Sequence, residues 1–222
     1  MLRIFLDNEF LEFDDEDLDI MYIDEGCEGV VYKYGVDAIK IYKNTCFFSR
    51  LGLEECQQLK LIKTKRVLLP EKIVYGDDNE FMGYSTPFIY NVSNIKMLNM
   101  NINNFIDELD IISSDLKLLA DNGVEIEDWH INNVLYNGKF FIGDPGGMFF
   151  RERMISNRIY RNNVFTLNRF LKEDVFSLAR LSKSKKGNIE RIFDDHYDMG
   201  LQIRDTCIPS ESLKQYIKRI SK

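Results

Sequence analysis

Residues that make soft metal sites are scarce in this sequence of 222 residues, which has two histidines and four cysteines. Cys27, Cys46, Cys56 and Cys207 lie far apart and form no C-x-x-C pair, which argues against a structural zinc site. Isolated cysteines of this kind are expected to be reduced thiols in a cytoplasmic protein. Proline is also sparse, at four residues. There is no Pro/Ser-rich linker, internal repeat or low-complexity tract, so two lobes would have to be closely joined. No apolar run approaches the roughly 20 residues that span a bilayer. The opening stretch, MLRIFLDNEFLEFDDED, meets an acid within seven residues and has no small-residue cleavage site, unlike a secretory signal. A basic surplus is missing too. Lys and Arg number 29 against 36 Asp and Glu, a formal net charge of −7, which argues against a general nucleic-acid binder. Part of that acidity is local, because Asp14 to Asp19 carries five carboxylates.

What is present is ordinary for a soluble globular chain, with 45% hydrophobic and 29% charged residues. Short β-rich runs dominate the first third. Ile20 to Ile23, Val30 to Lys33 and Ala38 to Tyr42 are predicted strands separated by Gly-containing turns. A helix is predicted over Ser49 to Lys65, before Leu69-Pro70. Strands follow at Lys72 to Tyr75 and Phe81 to Thr86, with a turn at Gly76 to Asn79. The texture then changes. Phe105, Leu109, Ile112, Leu116 and Leu119 recur at spacings of four and three, the period of an amphipathic helix over Asn101 to Asn122. Gly123 supplies its stop. Asn133 to Tyr136 and Lys139 to Ile142 read as a hairpin on a type I′ Asn137-Gly138 turn. Helices are predicted near Asn163 to Lys172, Asp174 to Ser182, Ile189 to His196 and Ser210 to Ile220. The last is basic and amphipathic, and reads as a packed helix with a solvated face rather than a membrane anchor.

The chemistry concentrates in Glu127 to Gly146. A two-residue turn at Asn137-Gly138 places Asn133 opposite Ile142, with Asp144 just beyond it. Hard oxygen donors gathered at one end of a ribbon suit Mg²⁺, which takes one or two protein ligands and completes its shell with phosphate and water. Asp128, five residues before Asn133, lies where a carboxylate could orient a hydroxyl and accept its proton.

This arrangement resembles the protein-kinase catalytic core, in which an Asp stands five residues before an Asn, followed by a hairpin and an Asp-x-Gly. Asp128, Asn133 and Asp144-Pro145-Gly146 match those positions. Ile126-Glu127 replaces the usual His-Arg, and His130 gives D-x-H-x-x-N, similar to aminoglycoside and choline phosphotransferases. Within the family frame, Gly26, Gly29 and Val31 match the later part of the G-x-G-x-x-G-x-V phosphate turn, with Asp24 in place of the first glycine. Ala38-Ile39-Lys40 matches the lysine strand. Of the neighbours Glu54 and Glu55, Glu55 fits the apolar rhythm of the family's helix glutamate, the partner of that lysine. Thr86, Phe88 and Ile89 fall where the hinge would bind adenine. The likeness runs from about Ile20 to Gly146.

The resemblance implies an α+β, protein-kinase-like bilobal fold of a compact, bacterial type. An antiparallel sheet lobe with one helix would span residues 1–88. An abbreviated, mainly helical lobe would span 89–222. It implies ATP and Mg²⁺ as cofactors, with Lys40 on the α/β-phosphates, Asn133 and Asp144 on the metal, and Asp128 as the base. The acceptor would be a hydroxyl on a protein Ser/Thr; the alternatives are a small-molecule acceptor or a regulatory pseudokinase. No A-P-E motif follows Asp144, and a partner or a second copy would complete the short helical lobe. His130 is expected to hold the loop around Asp128 through its backbone, and Trp129 to pack beneath it.

Overall fold

The computed structural model describes residues 1–43, 51–127, 129–151 and 153–222. They divide into two compact units, Met1–Lys63 with Leu68–Ile89, and Thr64–Val67 with Tyr90–Lys222.

The first unit is built on one antiparallel sheet. Its strands are β1 (Leu2–Leu6), β2 (Glu9–Phe13), β3 (Tyr22–Glu25), β4 (Gly29–Tyr34), β5 (Asp37–Tyr42), β6 (Lys72–Tyr75) and β7 (Phe81–Pro87), in the order β2-β1-β6-β7-β5-β4-β3. The β1–β2 hairpin adds to the strands expected from the sequence. Its alternation buries Ile4, Leu6, Leu11 and Phe13 against Ile39 and Val74, while Arg3 and Glu12 pair across the exposed face at 2.8 Å. A fully buried apolar side chain is worth about 1.5–3 kcal/mol, against about 0–1 for an exposed ion pair. The inward residues therefore fasten the hairpin.

Among the described residues, two helices accompany this sheet rather than the single one expected. The acidic run is the start of α1 (Asp15–Met21). Asp14 accepts the Asp17 N–H at 2.8 Å, and Asp17 accepts the Asp14 N–H at 3.3 Å. This capping box, with further acids in the first turn, suits the positive end of a helix. The predicted strand at Ile20 is corrected accordingly: Ile20 and Met21 are the end of a helix, and pairing begins at Tyr22. The second helix, α2 (Leu53–Leu59), stops well before Lys65. The reason lies in the following segment, where the amides of Lys65, Arg66 and Val67 donate to the Asp115 carboxylate at 2.6–3.1 Å. Those donors leave the helical pattern for a charged acceptor, which makes the stronger bond. Ser49 and Arg50, the expected start of this helix, lie outside the described residues, as does Cys46.

The second unit is mainly helical, with α3 (Asn94–Met97), α4 (Ile102–Asp121), α5 (Ser156–Phe170), α6 (Lys183–Ile192), α7 (Met199–Arg204) and α8 (Leu213–Ile220). As the periodicity predicts, α4 buries Phe105, Leu109, Ile112, Leu116 and Leu119. Gly123 follows with φ +77°, a conformation open to glycine without steric cost. Short strands β8 (Val124–Ile126), β9 (Val134–Tyr136), β10 (Phe140–Ile142) and β11 (Met148–Phe150) form two ribbons, β9–β10 and β8–β11. The helices expected around Asn163 and Asp174 are one longer element: α5 begins at Ser156 and passes through a π-turn at Leu171–Val175 into a 3-10 turn at Phe176–Ala179.

Candidate nucleotide and catalytic-loop sites

In the first unit the candidate phosphate turn joins β3 to β4. Gly26 N–H bonds Gly29 C=O at 2.9 Å and closes a three-residue loop of Gly26, Cys27 and Glu28. The two glycines have different reasons to be there. A Cβ on Gly29 would stand 2.3 Å from the Ile41 carbonyl oxygen, so glycine lets β4 approach β5. Nothing lies within 4 Å of a Cβ built on Gly26. Gly35, at φ +57°, makes the tight β4–β5 connection, and the resulting register sets Val31 opposite Lys40.

Lys40 is 8% exposed, and its Nζ lies 2.7 Å from Glu28 Oε2. The sequence pattern nominates Glu55 for that role, but Glu55 Oε2 accepts the Gly52 N–H at 2.7 Å, at the N-terminus of its own helix. Neither Glu55 nor Lys40 is remote from Cys56. Burial pushes the Cys56 thiol up to about 12, with Glu55 adding to the effect and Lys40 opposing it. Lys43 fastens the turn from the far side, through Gly26 O at 2.8 Å and Glu25 at 2.5 Å. Thr86 pairs with Ala38 on β5. Phe88 donates its N–H to Val36 O at 2.8 Å and receives Lys33 over its ring at 5.4 Å. That amide is therefore already engaged within the sheet. Ile89 is half-buried.

In the second unit the hairpin carries the candidate metal residues. Its turn is corrected: three residues, Asn137 to Lys139, separate Tyr136 from Phe140, and Gly138 alone takes positive φ, at +107°. Asn137 keeps negative φ, so the two-residue type I′ geometry is not formed. The register moves by one residue in consequence. Val134, not Asn133, faces Ile142. Asn133 C=O instead accepts the Gly143 N–H at 2.6 Å. This places Asn133 beside the residue that precedes Asp144, closer than the two-residue turn implied. Asp144 is exposed and left-handed, at φ 50°, and it accepts the Gly146 N–H at 3.2 Å. A non-glycine residue in this region carries backbone strain, a feature that collects at functional sites. One amide oxygen donor and one exposed carboxylate are a donor set that fits Mg²⁺.

Asp128 lies outside the described residues, but its flanks are fixed. Glu127 N–H bonds Gly147 O at 2.9 Å, extending the β8–β11 ribbon. Trp129 is 8% exposed and meets the Phe170 ring at 5.8 Å. His130 Nδ1 accepts the Asn132 N–H at 3.2 Å and caps the 3-10 turn Ile131–Asn133. His130 also opposes the rise that burial gives the Asp174 carboxyl.

Several supports were not singled out by the sequence pattern. Asn163, fully buried in α5, accepts the Ile126 N–H at 2.8 Å and donates to Val124 O at 3.1 Å. Arg151 ties Glu125 at 2.7 Å to Glu127, the residue before Asp128. Burial raises the Glu108 carboxyl, but Arg66 and the Phe140 N–H outweigh burial and hold it below its ordinary value. Glu28 had one available signal, a carboxylate inside a glycine turn that precedes the strand lysine. Asn163 had none, since a mid-helix asparagine reads as a solvated residue.

A crystal structure of the kinase domain of PknI from Mycobacterium tuberculosis is similar to this chain at a TM-score of 0.51 and 11% identity. The match covers 90% of this chain and 93% of that one. The fold is protein-kinase-like. No protein-family model matches the sequence, and no curated protein matches it. Among the described residues, no helix is long and apolar enough to cross a membrane.

Proposed function

We propose that this chain is a phosphotransferase that moves the γ-phosphoryl group of ATP to a hydroxyl, with a protein Ser/Thr as acceptor. The observation that carries this is the Asn133–Gly143 backbone hydrogen bond, which brings Asn133 beside the residue that precedes Asp144 within a kinase-like fold. Lys40 would neutralise the α/β-phosphates, and Asn133 and Asp144 would hold Mg²⁺. A magnesium ion there supplies charge neutralisation on the phosphate oxygens. Asp128 would orient the acceptor hydroxyl and take its proton, while Asn163 and Arg151 fix the strand and the residue leading into it. Such chemistry depends on positioning and charge stabilisation more than on covalent steps. Supporting the choice of a protein acceptor is the Ala38-Ile39-Lys40 strand, typical of protein kinases. Two assays test the proposal. A thermal-shift titration with ATP and Mg²⁺ reports binding through stabilisation of the native state. Incubation with γ-labelled ATP and Ser/Thr-rich protein acceptors reports transfer. Absence of both signals would refute it.

A further inference from the structure

Glu28 occupies an unusual place in the candidate phosphate turn. Its Oε2 stands 2.7 Å from Lys40 Nζ, and the two side chains are only 17% and 10% exposed. The turn is also held down on β5 by its backbone, since Lys43 N–H donates to Glu28 O at 2.9 Å. Lys43 Nζ adds a bond to Gly26 O at 2.8 Å and an ion pair with Glu25 at 2.5 Å. A carboxylate oxygen on Lys40 has the charge and hydrogen-bonding character of a phosphate oxygen. Both are anionic acceptors for the same ammonium group.

We propose that Glu28 is an affinity-setting residue of the nucleotide site, a built-in carboxylate that competes with the nucleotide's phosphates for Lys40. This rests on the nucleotide reading given above. For a polyphosphate to reach Lys40, the Glu28 carboxylate gives up that bond and then lies near like charge. The pair is largely shielded, so it resists displacement more than a surface ion pair does. The turn thus has a closed state paired to Lys40 and an open state competent for nucleotide, and Glu28 sets the balance between them.

The test compares wild type with Glu28→Gln, which keeps shape and removes charge, by calorimetric titration with ADP and with ATP·Mg²⁺. The variant is expected to bind both about tenfold more tightly, a change of about 1.4 kcal/mol. Amine labelling of Lys40 without nucleotide gives a second readout of the pair. Removing the carboxylate is expected to speed labelling, because the ammonium loses a charged hydrogen-bond acceptor at 2.7 Å. If wild type binds nucleotide and Glu28→Gln binds equally or more weakly, the competition is refuted. Unchanged labelling refutes the pairing itself. If neither protein binds nucleotide while labelling still accelerates, the nucleotide site is wrong, and the competition falls with it although the pair is real.

Discussion

Asp115 links the helical framework to the hairpin, and its replacement has a consequence that can be worked out. The residue is 3% exposed on α4 and accepts three successive backbone amides, those of Lys65, Arg66 and Val67. Arg66 C=O in turn accepts the Ile142 N–H at 2.8 Å, two residues before Asp144. A hydrogen bond to a charged group contributes about 1.5–3 kcal/mol, and an orphaned buried donor costs about 1–3. Lys65 is exposed and Arg66 half-buried, so water can recover part of their loss. Val67 is buried, so its amide bears the full penalty. The sum for Asp115→Ala is about 3–5 kcal/mol by these magnitudes. Urea unfolding at 25 °C, followed through the single tryptophan, Trp129, measures it. The melting temperature should fall by about 10 °C, given about 2–4 °C per kcal/mol for a chain of this size. A loss below about 1 kcal/mol would show that the three amides are not held as described.

Two further predictions concern the turn and the acid range. Gly29→Ala must force β4 from β5, because the new methyl would meet the Ile41 carbonyl oxygen at 2.3 Å. It should cost at least about 2 kcal/mol by the scale of overpacking. Gly26→Ala, with open space at that position, should stay within about 0.5 kcal/mol, as surface substitutions do; denaturant midpoints of the two variants compare them directly. Glu108 has a depressed carboxyl in the folded chain. A depressed folded value means that its stabilisation is present above the unfolded value, 4.5, and is lost as pH falls through the folded one. The advantage of wild type over Glu108→Gln should therefore be constant near neutrality and shrink below about pH 4.5. A pH-independent difference in unfolding free energy would contradict this.

Much of the fold was legible because local signals agreed. The spacing of Phe105 to Leu119 matches α4, and Lys72 to Tyr75 is β6 as read. The misreadings have physical causes. Asp14 to Asp19 reads as surplus surface charge, yet it is a cap and a first turn, whose acids help only because a helix begins there. The β1–β2 hairpin escaped notice because charged residues interrupt its apolar positions. Helix α2 does not run on to Lys65, because the amides of Lys65 to Val67 go to Asp115, 50 positions beyond Lys65. The Asn137-Gly138 dipeptide identified the hairpin but not its loop length, and one residue of register followed. In the candidate site, the resemblance nominated Lys40, Asn133 and Asp144. It could not show that Glu28, rather than a helix glutamate, stands on Lys40 at 2.7 Å, because that depends on how a three-residue turn folds over a strand.

Transfer of label from γ-labelled ATP by wild type, Asp128→Ala and Asp144→Ala, with nucleotide binding measured alongside, tests the central claim most directly. Wild type should transfer. Asp128→Ala should lose about 10²–10⁴-fold in rate, the scale of a general base, while still binding nucleotide. Asp144→Ala should lose both transfer and tight Mg²⁺-dependent binding. Equal turnover in Asp128→Ala and wild type would contradict the assignment.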